Sequence, residues 1–258
     1  MTSPTLSDIE ILARGAGQIL RAGYGKSHQI NLKGEIDLVT EIDRETEAYL
    51  LGVIQNRFPD HTIYSEESGF LPGQDSQVWY IDPLDGTVNY AHGVPIFSVS
   101  IAYAENGKVI LGAVFDPMQN EFFSAEKGKG AWVNGKPIRV SNTKDLNSSL
   151  LVTGFPYDIR TNPNTNLDHY ANLSLLSQGV RRLGSAAIDL AYVASGRLDG
   201  FWEISIHSWD IAAGALMVEE AGGKVTDVYG GPDYLASPPT IIATNARIHQ
   251  ELVAAING

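Results

Sequence analysis

The residues with the clearest chemical content lie in Ile81-Asp82-Pro83-Leu84-Asp85-Gly86-Thr87, where the apolar run Val78-Trp79-Tyr80-Ile81 delivers two carboxylates to the end of one strand. Pro83 fixes the backbone between the acids and Gly86 frees it just after them. Carboxylates are seldom buried unless they bind something, so two at the exit of a buried strand point to a cleft. The bland alternative is an Asp-Gly turn closed by an Asx-type bond, which leaves the second acid, the rigid proline and Thr87 unused. Glu66-Glu67 follows the short apolar run Thr62-Ile63-Tyr64. If the two strands are neighbours their ends meet and Glu66 shares the cleft; standing alone, such a pair is a solvated loop. Thr40-x-x-Asp43 opens a helical pattern as a capping box does, so Asp43 is either a cap or a member of the site. Asp210, in Ser208-Trp209-Asp210, falls in a first helical turn that the helix dipole alone would favour, yet Glu203 lies just upstream.

Together these acids make an all-oxygen set: Glu66, Asp82, Asp85 and Asp210, with Asp43 a further candidate and the Leu84 carbonyl and Thr87 hydroxyl nearby. Such a set selects a hard cation, Mg²⁺ before Mn²⁺ or Ca²⁺. Carboxylates crowded in a half-dry pocket repel one another, and cations are the usual remedy. Phosphoryl transfer to water is the natural reaction class. Gly184-Ser185-Ala186-Ala187 opens a helix whose first amides could hold an anion or a hydroxyl, although Gly-Ser is also a plain N-cap. His28, His61, His92, His169, His207 and His249 show no paired ligand spacing, which makes a zinc site an unfavoured expectation.

The 258 residues carry 18 Lys+Arg against 30 Asp+Glu, a formal charge of −12. That balance argues against nucleic-acid polymers and anionic membranes as partners. It does not exclude a small phosphorylated substrate, because a bound cation reverses the local field. The absence of cysteine removes disulfides, thiolate nucleophiles and Cys-ligated metals. The first residues lack the pattern of a signal peptide and no stretch approaches a membrane span, so a soluble cytoplasmic protein is expected.

The elements that must position these residues follow from periodicity. Leu6, Ile9, Leu12, Ala13, Ala16, Ile19 and Leu20 predict a helix over residues 5–22, followed by a polar, glycine-flanked loop through 37 that is expected to be mobile. A second helix runs from Thr40 to Phe58, so two helices precede any sheet. Strands follow, ending in a dense alternating series over residues 97–135 that reads as an antiparallel meander. Helices are predicted around 167–177, 185–195, 209–221 and 245–256, with short strands between, and Ala212, Ala213 and Gly214 would let one helix approach a sheet closely. This order is α+β layering. A soft boundary near 141–148 separates an N-terminal part (1–145), carrying most of the metal-site motifs, from a C-terminal part (146–258) that completes the site within one compact unit.

With these motifs in place, the sequence resembles the inositol monophosphatase family, within the wider lithium-sensitive, magnesium-dependent phosphatases. The carriers are Asp37-Leu38-Val39-Thr40-x-x-Asp43, Ser65-Glu66-Glu67-Ser68, Trp79 through Tyr90, Gly128-Lys129-Gly130-Ala131, and Trp209-Asp210 through Gly222-Gly223. The resemblance implies a layered αβαβα sandwich of the inositol monophosphatase and fructose-1,6-bisphosphatase type, usually a homodimer, with two or three Mg²⁺ ions in its cleft. It implies Glu66, Asp82, Asp85, Asp210 and the Leu84 carbonyl as ligands, and Thr87 with Asp43 or Glu66 as the group that orients and deprotonates the attacking water. It further implies that the Gly86 and Thr87 amides hold phosphate, that Gly184, Ser185, Ala186, Glu203 and Asp210 meet the substrate, and that a loop near Lys33 closes over the site.

The expected reaction is hydrolysis of a phosphomonoester, myo-inositol monophosphate first, by a metal-activated water. Histidinol-phosphate, fructose-1,6-bisphosphate and nucleotide phosphatases are the alternatives within the superfamily, and a cation- or phosphate-binding regulatory module is the non-enzymatic one. Haloacid dehalogenase-type phosphatases also use a strand-end aspartate motif, but theirs separates the acids by one residue and attacks with the first. Repulsion among the acids predicts that Asp85→Asn abolishes turnover while leaving the metal-free fold equally or more stable.

Overall fold

The computed structural model describes residues 3–26, 30–32, 38–156 and 158–258. The expected mobile loop around Lys33 lies outside them. Helix α1 (Leu6–Gly23) begins at Thr5, which exchanges hydrogen bonds with Asp8 in a capping box. Its apolar stripe, Ile9, Leu12, Ala13, Ala16 and Leu20, is buried. Next comes a hairpin of β1 (Ile30–Leu32) and β2 (Leu38–Thr40), with Ile30 opposite Thr40. It corrects the expectation that two helices precede any strand: three residues a side are too few for a period to declare itself. Helix α2 (Glu41–Arg57) follows directly.

The first sheet is built from β3 (His61–Ser65), β4 (Gly69–Leu71), β5 (Gln74–Asp85), β6 (Ser98–Glu105), β7 (Lys108–Asp116), β8 (Glu121–Glu126), β9 (Gly130–Val133) and β10 (Lys136–Pro137), in the order β10-β9-β8-β7-β6-β5-β3-β4. A short helix α3 (Thr87–Ala91) separates β5 from β6. From β5 to β10 the pairing is antiparallel, the meander that the alternating pattern predicts. β3 instead runs parallel to β5, with Ser65 opposite Ile81. Parallel neighbours end together, and here the Glu66 amide donates to the Ile81 carbonyl at 3.2 Å.

The rest of the chain supplies β11 (Leu150–Thr153), α4 (Leu167–Leu176), β12 (Gly179–Arg181), α5 (Ala186–Ala194), β13 (Gly200–Glu203), α6 (Ser208–Glu220), β14 (Lys224–Thr226), β15 (Ile241–Thr244) and α7 (His249–Asn257). The second sheet has the order β12-β11-β13-β15-β14, with β11 parallel to both its neighbours and the remaining pairs antiparallel.

Helices α1 and α2 cover the outer face of the first sheet, α5 and α6 lie between the sheets, and α4 and α7 cover the second. The layering is αβαβα, an α+β sandwich as the patterning predicts. Each interface has its own core: Trp79 and Tyr103 under α1 and α2, Phe123, Leu190, Phe201 and Leu216 in the middle, and Trp202, Ile242 and Leu252 under α7. The close approach expected of α6 occurs at Ala213, whose backbone would lie 2.9 Å from a Cβ placed on Gly112 of β7. Among the described residues no helix is long and apolar enough to cross a membrane.

Candidate active site

The β5–β6 ladder pairs Asp82 with Ser100 and then Asp85 with Ser98, three steps on one strand against two on the other. The extra residue is a β-bulge at Pro83-Leu84. In a regular strand, residues three apart face opposite sides of the sheet. The bulge returns Asp85 to the side of Asp82, toward α5 and α6. The Asx-type turn weighed as the bland reading is present too, but at the first acid: the Leu84 amide donates to Asp82 Oδ1 at 2.9 Å. Gly86 then turns the chain with φ 98°, where a Cβ would stand 3.0 Å from the Ile96 carbonyl oxygen and 3.1 Å from that of Gly184. Only glycine takes that conformation freely in so narrow a gap.

Helix α2 contributes two buried acids one turn apart. Asp43 serves both readings of the sequence. Its Oδ2 accepts from the Thr40 amide at 2.9 Å and hydroxyl at 2.6 Å, capping the helix, while Oδ1 stands 3.0 Å from the Thr87 hydroxyl. That hydroxyl is also 3.0 Å from the Leu84 carbonyl, and its single proton serves one acceptor at a time. Glu47, absent from the sequence-derived set, accepts from the Ser65 hydroxyl (2.5 Å), the Glu67 and Ser68 amides (3.1 and 3.0 Å) and the Ser68 hydroxyl (2.6 Å). It thereby fixes the turn that carries half-buried Glu66. Its position four residues after Asp43, on the same helix face, was the available signal.

On the opposite side, Asp85 reaches the start of α5. It accepts from the Ser185 hydroxyl at 2.5 Å and from the Ala187 and Ala186 amides at 2.8 and 3.2 Å. The donors predicted to meet a substrate at Ser185 and Ala186 are thus turned on a carboxylate of the protein itself. This also revises the stability expected of Asp85→Asn, since an amide there would set an NH₂ group among donors. Asp210 accepts from the His207 amide at 2.9 Å in the first turn of α6, and Glu203 ends β13 against the backbone of Gly154. An open cleft of ≈ 270 Å³ runs past Asp85, Thr87, Gly184, Glu203 and Asp210, with Arg182 and Asp189 also in its wall.

Burial drives the protonation of this cluster. It holds the Asp82 carboxyl well above the usual carboxylate range, with Glu66, Asp85 and Asp210 adding repulsion. Burial acts likewise on Asp210, reinforced by Asp85 and Glu66. It brings Asp85 to about 6, opposed by the Ser185 hydroxyl and the Ala187 and Ala186 amides. Glu203 is pushed up to about 8 by burial and then by Asp85. The strand-end and helix-start acids therefore share one field, although among the described residues no three of them already stand as a cage for an ion. Asp82, Asp85 and Asp210 each accept from nearby amides or hydroxyls, and Asp82 also shares a hydrogen bond with Glu66. Their donor chemistry, oxygen throughout and short of positive charge, fits a hard cation such as Mg²⁺.

Residues 3–257 match the inositol monophosphatase family. An inositol-1-monophosphatase of Synechocystis is 49% identical over 243 residues, 93% of this chain and 84% of that protein. The Nus factor SuhB of Pasteurella multocida is 44% identical over 254 residues, 97% of this chain and 95% of that protein. Among solved structures, the inositol monophosphatase of Anabaena (Nostoc) superposes with a TM-score of 0.86 at 46% identity, covering 96% of this chain and 92% of that one. The family match leaves no element of either sheet outside it, and the chain belongs to the inositol monophosphatase family.

Proposed function

We propose that this protein hydrolyses a small phosphomonoester, myo-inositol monophosphate before others, in a Mg²⁺-dependent reaction. The observation that carries the reading is the bulge at Pro83-Leu84, which turns Asp82 and Asp85 to one side, where Glu66 and Asp210 join them. Glu66, Asp82, Asp85, Asp210 and the Leu84 carbonyl would hold two or three Mg²⁺ ions, with Mn²⁺ as a substitute. When bound, the ions supply charge that screens the phosphate, acidifies water and stabilises the leaving alkoxide. Thr87 accepts a hydrogen bond from the attacking water while its own proton points to Asp43, and Asp43 or Glu66 takes the proton released. The Gly86 and Thr87 amides hold the phosphate. Glu203 faces the alcohol, where its carboxyl group can hydrogen-bond two vicinal hydroxyls.

The test is release of inorganic phosphate from myo-inositol 1-phosphate, histidinol phosphate, fructose 1,6-bisphosphate and a nucleotide 3′-phosphate, compared by kcat/KM with Mg²⁺ and with chelator. The expected result is Mg²⁺-dependent release with the inositol ester preferred. No release from any of them overturns the reading in favour of a binding module, and a trapped phosphoaspartate would replace the water mechanism with a covalent one.

The name Nus factor, carried by the 44% identical relative, favours a second reading in which this chain also acts in transcription. With a charge of −12, that role would run through protein contacts. Salt-dependent RNA binding measured by fluorescence anisotropy is expected to be absent.

A further inference from the structure

Helix α5 is apolar except at Asp189, and Ile188 and Leu190 on either side of it are fully buried. Asp189 is itself 2% exposed, lies in the wall of the cleft, and has an oxygen, Oδ1, with no hydrogen-bond partner. An acid in a first helical turn gains roughly 0.3–1 kcal/mol from the dipole. A buried polar group left unpaired costs about 1–3 kcal/mol, more when charged. The dipole therefore does not explain the residue, and an apolar side chain would suit the surrounding core better.

Ser185, one turn earlier on the same face, is bonded to Asp85, so Asp189 sits beside the phosphate-proximal acids but one turn deeper along the cleft. Burial, and after it the neighbouring Asp85 and Glu203, hold its carboxyl well above the usual carboxylate range, opposed by exposed Arg182, which also lines the cleft. The acceptor has no donor within the protein, and the side chain that carries it lines the cleft, so a donor on a ligand would complete it.

Building on the phosphatase reading, we propose that Asp189 is a specificity-determining residue whose free oxygen accepts a hydrogen bond from a donor group on the alcohol part of the phosphomonoester, beyond the atoms held by Glu203. Such a donor is a hydroxyl of a polyol or an ammonium of an amino alcohol. An ester whose alcohol lacks donors leaves the oxygen unsatisfied and gains nothing from the residue.

The experiment compares wild type, Asp189→Ala and Asp189→Asn on myo-inositol 1-phosphate, histidinol phosphate and p-nitrophenyl phosphate, whose leaving group carries no donor. The readout is the ratio of kcat/KM for each donor-bearing ester to that for the aryl ester. A hydrogen bond to a buried or charged acceptor predicts a fall of about ten- to a hundredfold in that ratio for Asp189→Ala. The ester suffering the larger fall, inositol or histidinol, identifies the donor as hydroxyl or ammonium. A purely structural role lowers all three rates together, and ratios within twofold of wild type overturn the proposal. Should Asp189→Ala fail to fold, the near-isosteric Asp189→Asn decides, with at least a threefold fall expected and an unchanged ratio counting against the proposal. A wild-type protein that cleaves none of the three overturns the phosphatase reading itself, an outcome distinct from unchanged ratios in an active enzyme.

Discussion

The two walls of the cleft satisfy their acids differently. On the wall built by α2 and the β3–β5 edge, Asp43 splits its oxygens between a helix cap and Thr87, and Glu47 accepts four hydrogen bonds, one from Ser65 at the end of β3 and three from the turn before β4. On the wall built by α5 and β13, Asp189 keeps an oxygen without a partner and Glu203 is pushed up to about 8 by burial. Asp43 and Glu47 of the first wall already use both their oxygens in the free protein and fix positions in advance. The second is left for a ligand to finish. Precision and selectivity are thus divided between the halves of one site, because a group already fully bonded has nothing left with which to discriminate.

The largest effect is expected where the walls join. Asp85→Asn should lower Mg²⁺-dependent phosphate release by about a thousandfold or more, as loss of several kcal/mol of metal-borne stabilisation requires. The same change should destabilise the chelated protein by roughly 1–2 kcal/mol in urea titration, because the Ser185 hydroxyl and the Ala186 and Ala187 amides lose a carboxylate acceptor. Glu47→Ala strips the first wall of its support. It should cost about 2–4 kcal/mol of stability and raise the Mg²⁺ concentration that gives half of the Mg²⁺-induced Tm increase by roughly tenfold, with partial recovery in Glu47→Gln. If Glu47 only filled space, the Mg²⁺ requirement would not move. Gly86→Ala should cost about 1–3 kcal/mol, set by the positive φ and by the carbonyls that crowd it.

The smallest effect is a pH dependence to which Glu203 of the second wall contributes beside Asp82 and Asp210. Folded Glu203 keeps its proton up to about 8, whereas its ordinary value is 4.5. Its contribution to stability is present in full below 4.5 and is lost as the pH rises through 8. Asp85 behaves alike up to about 6. His249, held neutral down to about 4 by burial, has the opposite sign: the unfolded chain gains a proton below 6.5, so stability falls on further acidification. With chelator present, lowering the pH from 8 to 6.5 should therefore stabilise the protein by on the order of 1 kcal/mol. Glu203→Gln should flatten that slope.

Much of this was legible in the sequence wherever chemistry and periodicity coincide in a short segment. Asp82, Asp85, Gly86 and Thr87 form one continuous motif, and the helices α1, α2, α5 and α6 announce themselves by spacing and caps. Thr40 and Asp43 were legible only as an ambiguity, and the geometry keeps both meanings. Glu47 was hidden because its partners lie 18 to 21 residues away, a pairing that no local pattern encodes. Asp189 was hidden for the opposite reason. In sequence it is an ordinary acid of a first turn, and only tertiary burial shows that one of its oxygens is left without a partner. The hairpin at Ile30–Leu32 and Leu38–Thr40 was too short to leave a period.

The bonds from the Ala186 and Ala187 amides to Asp85 give this protein a built-in gauge. Any cation that draws charge from Asp85 must weaken its hold on those two protons. Occupancy of the acid cluster would then register at the head of a helix in the middle layer. The amide resonances of these two alanines would follow ion loading directly, with no substrate and no turnover.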